Sequence, residues 1–294
     1  MLSITVVKLL RGVTMYPYLV DIFGIAIPSY GLLLLLGVCA AALIVWLLAG
    51  RRIPDISLVF LITVAGGVIG AVALRPLMKI PEVFIHWEQF RFMPVKDFIL
   101  YLFGELVFYG GLIGGVAAMI VFCVRFKIPV LPVGDVFAPA LAAAHGIGRI
   151  GCFLGGCCYG IKVDPMHAFS VTYPAHSLSA PAGVPLLATQ LIEAASLFVI
   201  SAVLILFYLS RRRKRRQAGY CVLFYGLSYS VLRFFLEFYR GDLERGIYGP
   251  FSTSQYISIM IFAISIILYI MMISKNSKQG EHIFLHSRNT KSRV

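Results

Sequence analysis

Four short segments of this chain carry polar side chains inside otherwise apolar sequence, and their residue types suit the handling of an anionic group. In HGIGRIGCFLGGCCYG, His145 to Gly160, six glycines surround Arg149. A guanidinium stays charged and offers a planar fork of donors that matches phosphate or carboxylate oxygens. Glycines let backbone and ligand approach closely, and at this density they disfavour a regular helix. An arginine snorkelling to a membrane surface is the competing reading, and the glycines on both sides favour a ligand. In LRFFLEFYRGD, Leu232 to Asp242, Arg233 and Glu237 are spaced i, i+4 and share a helix face on which they can pair. With Arg149 at the same depth, two guanidiniums would converge on one anionic group. In ELVFYGGLIGG, Glu105 to Gly115, Tyr109 precedes Gly110 and Gly111 and can aim a hydroxyl into a cavity. The second pair, Gly114 and Gly115, reads as close helix packing. In PLLATQLIEA, Pro185 to Ala194, Gln190 and Glu193 lie on one helix face. An uncompensated glutamate is costly in lipid, so Glu193 is expected to face the protein interior with a partner.

The elements that position these residues follow from composition. Of 294 residues, 60% are hydrophobic and 13% charged, where a soluble domain carries about 25% charged residues. Apolar runs of about 18 residues or more are long enough to cross a bilayer as helices. The expected fold is an all-α integral membrane protein of about seven transmembrane helices with an outward-facing loop and arm region. The spans read as roughly 30–48, 57–74, 105–123, 132–150, 184–209, 219–238 and 255–273. The net charge of +13 is concentrated in the gaps: two Lys or Arg after the first span, two after the third, six after the fifth and five after the seventh. Positive loops face the cytoplasm, so the N-terminus is expected outside and the C-terminus inside. That topology accounts for the charge without nucleic acid. It also puts all four polar segments at the outer half of the bilayer, with excess positive charge and within reach of a lipid headgroup.

Three divisions are expected: an N-terminal extension and outer-face segment (1–29), a single membrane-embedded domain (30–274) and a disordered polar cytoplasmic tail (275–294). Pro81 to Lys96 mixes Phe84, Ile85, Trp87, Phe90 and Phe92 with Glu82, Glu88 and Arg91. It reads either as an amphipathic arm in the interface plane or as a loop with aromatic anchors. The run RRRKRR reads as a solvated turn near anionic headgroups. No internal repeat is present, which argues against a transporter. Cys39, Cys123 and Cys221 sit in apolar runs as packing residues, whereas Cys152, Cys157 and Cys158 cluster in the glycine-rich segment.

Taken together, these segments resemble the prolipoprotein diacylglyceryl transferase family. GRIGCFLGGCCYG resembles the family's signature around its essential arginine, YGGLIGG its HGGLIG motif, RFFLEFYR its second arginine motif, and TQLIEA its TQLYEA. Ser29-Tyr30-Gly31-Leu32 matches the tyrosine motif of the first span, and STSQ at Ser252 to Gln255 the start of the last. The resemblance runs from Met15 to about Met272. It implies an enzyme of the bacterial cytoplasmic membrane that moves a diacylglyceryl group from phosphatidylglycerol to the lipobox cysteine of prolipoprotein signal peptides, giving a thioether and glycerol phosphate. It implies that Arg149 and Arg233 handle the phosphate, and that Tyr30, Glu237 and Gly160 matter to the site. Gly110, Gly111, Gln190 and Glu193 are expected as substrate-binding residues.

The chain departs from the family's pattern at several positions. Tyr109 stands where the family has histidine, Cys152 where it has asparagine, and Cys157 near an absent acidic residue; Leu187-Ala188 replaces His-Pro before Thr189. His145, one helical turn before Arg149, is a candidate for the missing base, with helix packing as its alternative role. Tyr109 is then a hydrogen-bond donor to the lipid. The departures also leave open a divergent paralogue, noncatalytic or of different specificity, that binds anionic phospholipid. No cofactor is expected. No metal is expected either, because no histidine follows Cys157-Cys158 at zinc-ligand spacing; a disulfide between Cys152 and one of the vicinal pair is the alternative outside the cytoplasm.

Overall fold

In a computed structural model, residues 18–22, 25–104, 106–175, 177–212, 218–242 and 246–291 are described. The extension up to residue 17 and the basic run past Arg212 lie outside them. Seven helices among the described residues are long and apolar enough to cross a membrane. They are α1 (Ser29–Ala49), α2 (Ile56–Ile85), α4 (Phe108–Arg125), α5 (Val130–Gly155), α6 (Thr189–Arg212), α7 (Tyr220–Leu236) and α8 (Thr253–Lys291), with a short α3 (Val95–Phe103) between the second and the third. Large apolar side chains such as Leu61, Ile69, Val121, Leu206 and Ile270 stay exposed along them, as a lipid-facing surface requires.

The single domain expected from hydropathy divides into two compact units. One is formed by the chain up to Ile44 and from Asp135 on, the other by Val45–Gly134. In the second unit α2 and α4 share a glycine seam. A methyl group at Gly66 would lie 2.8 Å from the Gly114 carbonyl oxygen, and one at Gly70 would lie 2.9 Å from the Gly114 Cα. Gly110 approaches the Gly70 carbonyl more closely still, and Gly111 approaches that of Gly67. Small residues four apart let membrane helices come into backbone contact. Gly110 and Gly111 take part in this seam alongside Gly114.

The span expected at 57–74 runs on to Ile85 through Pro76 and Pro81, because a membrane helix tolerates proline where neighbours re-satisfy the freed carbonyls. The arm expected over 81–96 is thus partly helix end, followed by a single helical turn at Trp87–Phe90 and by α3. Trp87, Phe92, Val95 and Leu100 are exposed there, which favours the interfacial reading. The tail expected to be disordered carries the backbone of α8 as far as Lys291; its sequence contains no proline to stop the helix.

In the first unit a backbone hairpin, β1 (Tyr18–Ile22) with β2 (Ile25–Pro28), leads into α1. The fifth span begins at Thr189 rather than at 184, because Pro185–Leu187 forms strand β4, antiparallel to β3 (Ser170–Thr172). Asp135, which nothing in the sequence had singled out, caps α7 from a distance. Its carboxylate accepts the backbone N–H groups of Gly219 (2.6 Å), Cys221 (2.8 Å) and Val222 (3.3 Å). These are among the donors that a helix start leaves unsatisfied, and no local side chain caps them. Asp135→Ala is expected to destabilise the fold by about 1–3 kcal/mol, the range for stranding buried donors. The unfolding midpoint in detergent should fall accordingly; an unchanged midpoint would remove Asp135 from this role.

Candidate active site

The glycine-rich segment was expected to break its helix, yet α5 continues to Gly155. Tertiary packing overrides the weak propensity of glycine. A methyl group at Gly146 would lie 2.9 Å from the Phe198 ring, and one at Gly151 would lie 3.2 Å from the Tyr30 ring. The glycines thus bring neighbouring helices against α5, and Arg149 is held on a rigid element rather than a flexible loop.

His145 and Arg149, one turn apart, face Glu193 on α6. Glu193 is 2% exposed and is the hub of the cluster. Its Oε2 lies 3.0 Å from Arg149 Nε and 3.8 Å from an Arg233 Nη. Its Oε1 accepts the Tyr229 hydroxyl at 3.0 Å and stands 3.9 Å from His145 Nε2. The His145 ring meets Tyr229 edge-on, with centroids 5.0 Å apart. Tyr229, Arg233 and Glu237 lie four residues apart and so share one face of α7 and its extension. Arg233 pairs with Glu237 at 2.6 Å and donates to Ser254 Oγ at 3.2 Å.

The expected convergence of two guanidiniums is present, and the anion between them is Glu193. The expected excess of positive charge is not: Arg149 and Arg233 are matched by Glu193 and Glu237. Buried charges must be paired to be tolerated, and that requirement fills the site with carboxylates. Within the cluster Arg149 is the most accessible member, with 14% of its side chain exposed against 8% for Arg233 and 2% for each glutamate. An anion arriving at the cluster therefore meets Arg149 first.

A polar network above the cluster fastens the segment between α5 and α6. Gln190, 1% exposed, donates from Nε2 to the Cys157 carbonyl (2.7 Å) and to the Tyr173 hydroxyl (3.0 Å). Thr189 Oγ1 donates to the Cys158 carbonyl at 3.1 Å. Burial pushes the Tyr173 hydroxyl pKa up. Gly160 sits where this segment crosses the end of α7, with its N–H donating to the Leu187 carbonyl at 3.0 Å and a bridge to Arg240. A methyl group there would lie 2.6 Å from the Leu187 oxygen and 2.7 Å from Thr189 Cγ2. Gly160 and Gln190 thus help to fix the loop's position.

All six cysteines are free thiols. The Cys158 thiol pKa is lowered, first by hydrogen bonding with Cys152 and then with Cys157, with the charges of Arg149 and Arg240 adding. That of Cys157 is raised, first by hydrogen bonding with Cys152.

The structure therefore brings together His145, Arg149, Glu193, Arg233 and Glu237. Tyr30 lies at the start of α1 against Gly151 and is 40% exposed. Tyr109 belongs to the other unit, half-buried and edge-on to Phe108. Sequence reasoning missed Tyr229 and Ser254. Tyr229 was within reach, since it lies one turn before Arg233 on the face already singled out; Ser254 stood inside a matched motif without a role.

Residues 17–271 match the family model described as prolipoprotein diacylglyceryl transferase. A phosphatidylglycerol–prolipoprotein diacylglyceryl transferase 2 of Clostridium perfringens is 37% identical over 253 residues, covering 85% of this chain and 92% of that protein. A phosphatidylglycerol–prolipoprotein diacylglyceryl transferase of Clostridium tetani is 32% identical over 269 residues, covering 90% of this chain and all of that one. One from Geobacter sulfurreducens is 29% identical over 254 residues, covering 83% and 90%. With this match along nearly all of its membrane-spanning length, the chain belongs to the prolipoprotein diacylglyceryl transferase family.

Proposed function

We propose that the chain transfers a diacylglyceryl group from phosphatidylglycerol to the lipobox cysteine of prolipoproteins, at the outer half of the bacterial cytoplasmic membrane. The observation that carries this reading is the pair of guanidiniums, half-buried Arg149 and buried Arg233, converging on Glu193 beside His145. In the reaction the cysteine sulfur attacks a glycerol carbon, the carbon–oxygen bond to phosphate breaks, and glycerol phosphate leaves. The thiol proton passes to a base, and the leaving oxygen gains charge. Preorganised donors in a water-poor site stabilise such charge. Arg149 meets the phosphate from the accessible side and Arg233 supports it from within. Glu193 holds both guanidiniums in place before the lipid arrives. His145 takes the thiol proton, and Tyr109 donates a hydrogen bond to the lipid.

Replacing a bacterial host's own transferase with this chain is the direct test. Lipidation of a reporter prolipoprotein, read as the mass gain of its cysteine peptide, is expected to be restored. A stably inserted chain that binds phosphatidylglycerol but leaves the reporter unmodified would favour a noncatalytic paralogue. The charge asymmetry supports an N-terminus outside and a C-terminus in the cytoplasm. Reporter fusions after Lys214 and after Lys278 should both report cytoplasm, and an external signal at either would overturn that topology.

A further inference from the structure

Three thiols meet where α5 ends. Cys152 lies on the last turn of the helix, and Cys157 and Cys158 follow in the turn beyond it. Their sulfur atoms all lie within 4.8 Å of one another. The backbone is shaped to achieve this. Gly156 (φ +75°) and Cys158 (φ +58°) both adopt the left-handed region, which costs a residue with a side chain about 1 kcal/mol or more and persists only where the surroundings impose it. The surroundings do so here: the Cys152 carbonyl accepts the N–H groups of Gly156 (3.0 Å) and Cys157 (3.1 Å), and Gln190 and Thr189 hold the carbonyls of Cys157 and Cys158. A random turn after a helix would have no need to fix two adjacent cysteines from a neighbouring helix.

We propose that Cys152, Cys157 and Cys158 form a binding site for one thiophilic divalent ion of the zinc class, held by three thiolates with its fourth position open to water or an external thiol. The dimensions fit. Zinc–sulfur bonds are about 2.3 Å, so three sulfurs around one ion stand about 4 Å apart, and rotations about the Cα–Cβ bonds close the remaining gap. The charges fit as well. Three thiolates around a divalent ion carry one net negative charge, and positive charge lies close by along the chain: Arg149 stands three residues before Cys152 on α5, and Arg240 bridges to Gly160, two residues past Cys158. Among the described residues no histidine or carboxylate completes the group, and three protein ligands with an open place distinguish an exchangeable site from a closed structural one. Uptake forms three sulfur–metal bonds and releases the remaining thiol protons, so affinity should fall as pH falls. Arg149 borders both this site and the Glu193 cluster, but metal uptake needs none of the transfer chemistry, and either reading survives failure of the other.

The test uses the full chain, reduced and purified in detergent, with cadmium as a spectroscopic probe for the zinc class. Titration should give a sulfur-to-cadmium charge-transfer band in the ultraviolet that saturates at one ion per chain and is displaced by excess zinc. Cys152→Ser, Cys157→Ser and Cys158→Ser should each abolish the saturable band, and Cys39→Ser should leave it intact. Alkylation mapping of the unaltered chain gives a reading independent of the variants' folding: zinc should protect these three thiols from iodoacetamide, and a chelator should remove the protection. A chain with no saturable band, a band that survives all three serine changes, or equal alkylation with and without zinc would overturn the site. So would a disulfide among the three in protein isolated from the cell envelope, since it consumes two ligands.

Discussion

Arg149→Lys should lower diacylglyceryl transfer by about a hundredfold or more, the range seen when one preorganised donor to a developing oxyanion is removed. Arg149 pairs through Nε with Glu193, 3.0 Å away, and its side chain is more exposed than that of any other member of the cluster. A lysine is a single point charge on a flexible stem. It can approach Glu193 or the phosphate, but it cannot present separate donors to both in a fixed plane. The fold should tolerate the change, because charge at this position is kept and the side chain is partly accessible. Arg233→Lys should behave differently. Arg233 is shared among Glu193, Glu237 and Ser254, and a lysine leaves at least one buried carboxylate short of its partner. Breaking a buried pair costs about 3–5 kcal/mol, so that variant should lose stability together with activity. Transfer assays on both variants, with unfolding midpoints in detergent, separate the two cases. Full activity in both lysine variants would refute a forked phosphate clamp.

The site was more legible in the sequence than the elements that carry it. Arg149, Arg233, Glu237 and Glu193 could be picked out because a charged side chain within an apolar helix must be explained, and the i, i+4 spacing fixed the Arg233–Glu237 pair in advance. The hub role of Glu193 was not legible, since no rule of sequence spacing joins α5, α6 and α7 at one atom. The glycines misled for a physical reason. Propensity treats each as a helix breaker, whereas in lipid the same missing side chain allows close contact, as at Gly151 against Tyr30 and at Gly70 against Gly114. Hydropathy located seven spans but misplaced their ends where apolarity and backbone geometry part company. It stopped α2 before Pro76 and carried α6 back into β4, because a buried strand such as Pro185–Leu187 is as apolar as a helix end. Asp135 was invisible for a third reason: a residue capping a helix more than eighty positions away leaves no local pattern.

His145→Gln should keep the fold and lipid binding and lower transfer by about tenfold or more at pH 7, within the range for a lost general base. The acceptor thiol ionises near pH 8.5 in water, so only a few per cent is thiolate at neutral pH. His145 has the chemistry to change that. Glu193 Oε1 stands 3.9 Å from His145 Nε2 and favours the imidazolium as the proton arrives, against the guanidiniums of Arg149 and Arg233 on the same carboxylate, which oppose it. A carboxylate plays the same part behind the histidine of hydrolytic triads. Glutamine keeps a polar side chain of similar reach but cannot take up the proton. The sign of the pH effect then follows. As pH rises towards and past the thiol pKa, the substrate ionises unaided, and the deficit of the glutamine variant should shrink. A deficit constant across pH would mean that His145 only packs against Tyr229. Normal transfer by His145→Gln at pH 7, together with an inactive Tyr109→Phe, would move the central role to Tyr109.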